Sequence, residues 1–270
     1  MMIRRVGMKC LAVLAVLAVL TGAGGAARAA TPTPDEVAHA YSDEEIIDGF
    51  MRTVFGAEGR QSTGVDIVHK FTGPVRVLIV NRAVVDRSAQ VAKFIATLDK
   101  VVDNLSIRTV RREADANLVV FLIDRSAYAA TIRSVLPPEF DASFMISNHC
   151  SGVASGAADG RLKSAVVFIP TTEGWRHTRH CMVEEITQVL GPVNDDWRLS
   201  NSIYNDSSDV PGFGIFDWFI LNTLYDRRIK PGMTADEVRP ILPKAIADAR
   251  KRLKRLVATK VIDPSKKPGE

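Results

Sequence analysis

Residues Cys181-Met182-Val183-Glu184-Glu185-Ile186-Thr187-Gln188-Val189-Leu190-Gly191-Pro192-Val193-Asn194 decide how this chain is read. At about 100° per residue, Met182, Val183, Ile186, Val189 and Leu190 gather on one side of a helix spanning about 180–190. That side is a stripe built for burial. Glu184, Gln188 and Gly191 fall on the opposite side with Cys181 beside them, and Glu185 lies on the flank. Two functional groups at i and i+4 on one helical face can grip one ion or one substrate atom together. The alternative for Glu184 and Gln188 is a solvated helix face.

Working upstream, Ser42-Asp43-Glu44-Glu45 carries a capping box, and Ile46, Ile47, Phe50, Met51, Val54 and Phe55 follow at helical spacing up to Gly56 and Gly59. Residues 74–80 predict a strand paired with the stretch 65–71, and 86–102 predict a helix. Ile107 to Val110 reads as a short strand. The run Asn117 to Ile123 is continuously apolar, as a buried strand requires. A helix over 125–135 stops at Pro137-Pro138. Ser151 to Gly160 reads as a Gly/Ala/Ser loop, and Ala165 to Pro170 as another strand. Downstream the chain turns helical: a polar loop from Gly191 to Gly214, a helix over 215–226, and a last helix capped by Thr234 with Glu237. No internal repeat is present.

Residues 1–29 read as a secretory signal peptide. Arg4, Arg5 and Lys9 precede the apolar core Leu11 to Leu20, too short for a stable span, and Ala27-Arg28-Ala29 has the cleavage pattern. An uncleaved anchor is the rival reading. A linker over 30–41, one domain over 42–258 and a tail over 259–270 complete the expected organisation. The location implied is periplasmic or secreted. The whole chain carries 35 Lys+Arg against 31 Asp+Glu. Four of the basic residues, Arg4, Arg5, Lys9 and Arg28, sit in the leader, so the remainder balances at 31 of each sign. That balance removes the general attraction to nucleic acid. With 46% hydrophobic and 24% charged residues, disordered, collagen-like and multi-span membrane classes are excluded.

Cys150 and Cys181 remain after the leader, and in an oxidising compartment a disulfide is the default reading. Two buried free thiols are the alternative. His177 and His180 precede the helix and could serve as replacement ligands with Glu184. The alternative is a pair of solvated loop histidines flanked by the cations Arg176 and Arg179. His39, His69 and His149 stand isolated, with structural roles expected. Trp175, Trp197 and Trp218 bracket the region, and core packing is favoured over a binding groove. The run Arg250-Lys251-Arg252 with Lys254-Arg255 reads as the solvated face of a docked helix.

The motif C-x-x-E-E-x-T-Q-x-L-G, with Leu224-Tyr225-Asp226-Arg227-Arg228 after it, resembles a family of exported proteobacterial proteins of unknown function over roughly residues 65–245. A more distant likeness covers residues 114–225. The segment Glu184 to Asn194 is similar to the H-E-x-x-H-x-x-G-x-x-H helix of the metzincin zinc peptidases. Glu185 stands at the general-base position and Gly191 at the turn glycine, while Glu184, Gln188 and Asn194 replace the three zinc histidines. Ser202-Ile203-Tyr204-Asn205 lies near the place of the methionine turn, without the Met. Asp217, Leu221, Leu224 and Tyr225 match the closing-helix pattern, and Ala114-Asp115-Ala116-Asn117 is similar to the strand that precedes the zinc helix.

That likeness implies a single α/β (α+β) domain of zincin-like architecture. A mixed sheet would come first, then an active-site-type helix, then a C-terminal helical subdomain. Amide oxygens from Gln188 and Asn194 are poor zinc donors, and three hard oxygen ligands are too few for calcium. No zinc or other cofactor is therefore expected at the degenerate site. Glu185, the candidate catalytic base, is left without an activated water. Glu184 and Glu185, as helical neighbours, point about 100° apart and are not expected to flank one bond. Two functions follow. One is a non-catalytic periplasmic binding or scaffold module, its cleft lined by Glu184, Glu185, Gln188 and Asn194, acting on a protein or peptide. The other is a metal-dependent hydrolase with a non-standard Glu/Gln/Asn or His ligand set and Glu185 as general base. A structural envelope protein using the basic C-terminal helix is a third reading.

Overall fold

A computed structural model of the protein describes residues 31–55, 66–205, 210 and 212–265. The expected leader, Gly56 and Gly59 lie outside the described residues. The described residues from Pro32 onward form one compact unit. Among the described residues, no helix is long and apolar enough to cross a membrane.

The fold is mixed α/β, built on a six-stranded sheet. Its centre is parallel. Strand β4 (Leu118–Ile123) lies between β2 (Val75–Asn81) and β6 (Arg161–Pro170). Strand β3 (Ile107–Val110) continues the sheet from β2, and β1 (Lys70–Phe71) runs parallel to the start of β6. Among the described strands, only β5 (Ser151–Gly156) is antiparallel, paired with β6. The expected pairing of 65–71 with 74–80 is thus corrected: β1 joins β6, and β2 takes β3 and β4. The segment 151–160, expected as a loop, begins with strand β5. Its small residues carry little β signal, and backbone pairing to β6 holds them.

Successive side chains of a strand face opposite ways, and β4 and β6 show it. Leu118, Val120, Leu122, Val167 and Ile169 enter the large core. Val119, Phe121, Ile123, Val166 and Phe168 turn to a second, smaller core. Helices α4 (Tyr128–Val135) and α5 (Ser143–Ser147) cover that smaller core, where Phe121 and Phe168 stack at 5.5 Å. The large core takes the apolar stripes of α2 (Asp43–Val54), α3 (Ser88–Val101), α6 (Trp175–Gln188), α7 (Ile215–Leu224) and α9 (Leu242–Ala258). Both predicted capping boxes form, Ser42 with Glu45 on α2 and Thr234 with Glu237 on α8 (Ala235–Val238). The single last helix expected after Thr234 is two. Helix α8 stops before Pro240, and α9 restarts at Leu242.

The stretch expected as a linker contains helix α1 (Pro34–Ala38), which packs on α9. Arg250 is the reason: its guanidinium donates to the Ala38 and Tyr41 carbonyls and pairs with Asp43. Arg252 likewise pairs with Asp103 at 3.2 Å. Part of the basic run is therefore a clamp between elements, not a solvated face. Trp218 is core, as expected, with its indole N–H donating to the Val101 carbonyl at 3.0 Å, whereas Trp197 is exposed.

Candidate functional site

Helix α6 starts five residues earlier than its apolar stripe suggests, at Trp175 after Gly174 (φ +92°). Thr178 ties this polar first turn to the sheet, donating to the Pro170 carbonyl at 3.2 Å. His177 and His180 are therefore helical residues, which corrects their placement in a preceding loop. Helix α6 ends at Gln188, and the chain turns away at Gly191, where φ is +139° and a Cβ would lie 2.3 Å from the His69 carbonyl oxygen. Only glycine fits such a turn without strain.

The C-terminal residues singled out in the sequence hold this end of α6. The Tyr225 hydroxyl donates to the Leu190 carbonyl at 3.0 Å, and Leu224 packs where a Gly191 side chain would stand. Asp217 is fully buried and accepts three hydrogen bonds: from Ser202 Oγ at 2.7 Å, Ile203 N at 3.1 Å and Gly214 N at 2.9 Å. Burial pushes its carboxyl up to about 6. The Ser202 turn and the closing helix are thus joined through one carboxylate.

Cys150 and Cys181 form a disulfide that fastens the start of β5 to α6. Against it lie Glu184 and Glu185, only 3% and 6% exposed. The solvated-face alternative for Glu184 therefore does not hold. One carboxylate oxygen from each glutamate lies within 4.8 Å of the other and of the Cys150 sulfur. The two carboxylates thus lie near each other although they leave the helix at adjacent positions. His180 pairs with one of them, its Nε2 lying 3.3 Å from Glu184 Oε2. Glu185 faces β5, where Oε2 would be 3.2 Å from a Cβ on Gly152. Beside it, the Tyr128 hydroxyl meets Ser151 Oγ at 2.6 Å and donates to the Met145 carbonyl at 3.1 Å. Burial raises the Tyr128 phenol well above its ordinary range, and the Glu185 charge adds to this.

The other two expected cleft residues go elsewhere. Gln188 donates its amide to Asp195 at 2.8 Å. Asn194 donates to the Arg52 carbonyl at 2.9 Å, and its backbone N–H to the Thr53 carbonyl at 3.1 Å, so it is fastened to α2. Helical spacing cannot place Asn194, because the chain has already left the helix at Gly191. A second cluster went unread in the sequence. His149, Glu173 and His177 offer ligand atoms within 4.8 Å of one another. The signal was available: each disulfide cysteine has a histidine beside it, His149 one residue before Cys150 and His177 one helical turn before Cys181.

A family model described as Protein of unknown function (DUF2927) matches residues 43–244. The chain belongs to the DUF2927 family. No curated protein matches it. The match spans α2 to the start of α9, so everything that builds and braces α6 in this DUF2927 domain falls inside the family's own extent.

Proposed function

We propose that this DUF2927 domain is an exported, non-catalytic module on a zincin-like frame, which binds a protein or peptide in the periplasm or outside the cell. The observation that carries the reading is the burial of Glu184 and Glu185 against a disulfide, with Gln188 and Asn194 committed to Asp195 and the Arg52 carbonyl. A general base must reach the proton it takes. A zinc ion needs donors better than amides already held by protein partners. These residues do not fit a zinc site, and no hydrolytic step is derived from them.

Three features support the zincin-like part. A mostly parallel sheet precedes the helix, one antiparallel strand lies over that helix, and the closing-helix residues brace its end. The disulfide fits an oxidising compartment, which supports export alongside the leader pattern. For the partner, β5 offers a route: among the described residues it pairs only with β6, and an open strand edge is a template for an extended segment.

The test compares wild type with Glu184→Ala and Glu185→Gln. No peptide hydrolysis that Glu185→Gln abolishes is expected, and no zinc that Glu184→Ala removes. Either finding would replace this reading with that of a hydrolase. Hydrogen exchange with a library of extended peptides checks the binding side. Protection confined to β5 amides supports it, and protection elsewhere or none overturns it.

A further inference from the structure

We propose that His149, Glu173 and His177 form a surface site for a divalent transition-metal ion of the zinc type, distinct from the Glu184–Glu185 pair. Two imidazoles and one carboxylate are a donor set that zinc accepts, with a fourth position left for water or a donor from a partner. The three residues come from two segments and already converge, one ligand atom from each lying within 4.8 Å of the others. His177 Nε2 and Glu173 Oε2 are 3.2 Å apart. Tetrahedral zinc with bonds of about 2.0–2.1 Å places neighbouring ligand atoms roughly 3.3 Å apart, so that edge is in place. The His149 ring stands edge-on to the His177 ring, with centroids 5.3 Å apart. A small rotation of an exposed side chain supplies the third bond.

The fold preorganises these donors. The Cys150–Cys181 bond ties the residue after His149 to the residue one turn beyond His177, so both imidazoles are held together before an ion arrives. Arg125 steadies the same loop, its Nη1 donating to the Asn148 carbonyl at 3.1 Å and the His149 carbonyl at 3.0 Å. Gly174, at φ +92°, turns the chain so that Glu173 lies against His177 on the first turn of α6. The Arg125 charge opposes a cation, and the Glu173 carboxylate offsets it. His149 and Glu173 are exposed, which leaves the ion a path in. His180 takes no part, since it faces Glu184.

The experiment titrates Zn²⁺ alone into the purified chain, disulfide intact and stripped of metal by chelation, with calorimetry and thermal melting as readouts. One ion per chain and a raised Tm are expected. His149→Ala and His177→Ala should each weaken binding on the order of 100-fold or more, beyond what loss of an outer-shell partner costs, while His180→Ala leaves it unchanged. His149 is exposed, so its variant keeps the fold, which circular dichroism verifies. Absence of saturable binding overturns the proposal. So does binding that survives both histidine variants, or binding that Glu184→Ala removes and His149→Ala does not. That last pattern would mark a peptidase-type ion, so failure here and failure of the non-catalytic reading are separable.

Discussion

Replacing Asp217 with Asn tests the junction between the Ser202 turn and α7. In the folded protein the carboxyl is raised from 3.8 to about 6 by burial, despite three donors around it. The folded state therefore keeps a proton at pH values where the unfolded chain has lost it. The stability linked to this proton is complete below about pH 4 and is lost as pH rises through about 6. At 1.36 kcal/mol per pH unit of difference, the charged form costs the fold about 3 kcal/mol. An asparagine stands in for the protonated carboxyl and cannot ionise. Stability of Asp217→Asn relative to wild type should therefore rise by about 3 kcal/mol between about pH 3 and pH 7. Urea unfolding of both proteins at intervals of pH measures it. Taking the difference cancels other titrating groups, such as Asp196, whose carboxyl the Arg198 guanidinium holds far below its usual range. A difference that stays flat with pH, or falls, refutes the argument that burial outweighs the three hydrogen bonds.

The disulfide closes a separation of 31 residues, and removing it through Cys150→Ser with Cys181→Ser should cost about 3–4 kcal/mol. A urea midpoint that reductant does not move in wild type would contradict this. Gly152→Ala places a methyl 2.7 Å from Val189 Cγ1 and 3.2 Å from Glu185 Oε2, so the seam between β5 and α6 must open. A loss of about 1–3 kcal/mol is expected, read as a lower melting temperature, and an unchanged one would mean that the seam yields freely.

Strongly periodic segments of this chain were legible without coordinates. The apolar faces of α3 and α9 bury as their spacing requires, because a helix exposes or hides a whole face at once, whereas α6 buries its polar side along with its stripe. Strand β4 read correctly because an unbroken apolar run fits a strand covered on both sides. Strand β5 did not, since Ser151, Gly152 and Ser155 signal a loop, and only pairing with β6 makes them extended. The first turns of α6 were missed for a related reason. Arg176, His177, Arg179 and His180 interrupt any apolar stripe, and the tie from Thr178 to the Pro170 carbonyl is a long-range fact. The cysteine pairing was legible from compartment, and helical spacing singled out Glu184 and Glu185 without revealing that both are buried. The departures of Gln188 and Asn194 were hidden, because their partners Asp195 and the Arg52 carbonyl are chosen by the loop and by α2. His149 looked solitary because its neighbours lie more than twenty residues downstream.

Helix α6 is fastened twice: a covalent bond joins Cys181, midway along it, to the sheet edge, and the Tyr225 hydroxyl holds Leu190 just past its last turn. An element gripped that way cannot swing as a hinge or slide by a turn. Any molecule that docks along β5 meets an anvil rather than a jaw, and the adjustment falls to loops and side chains.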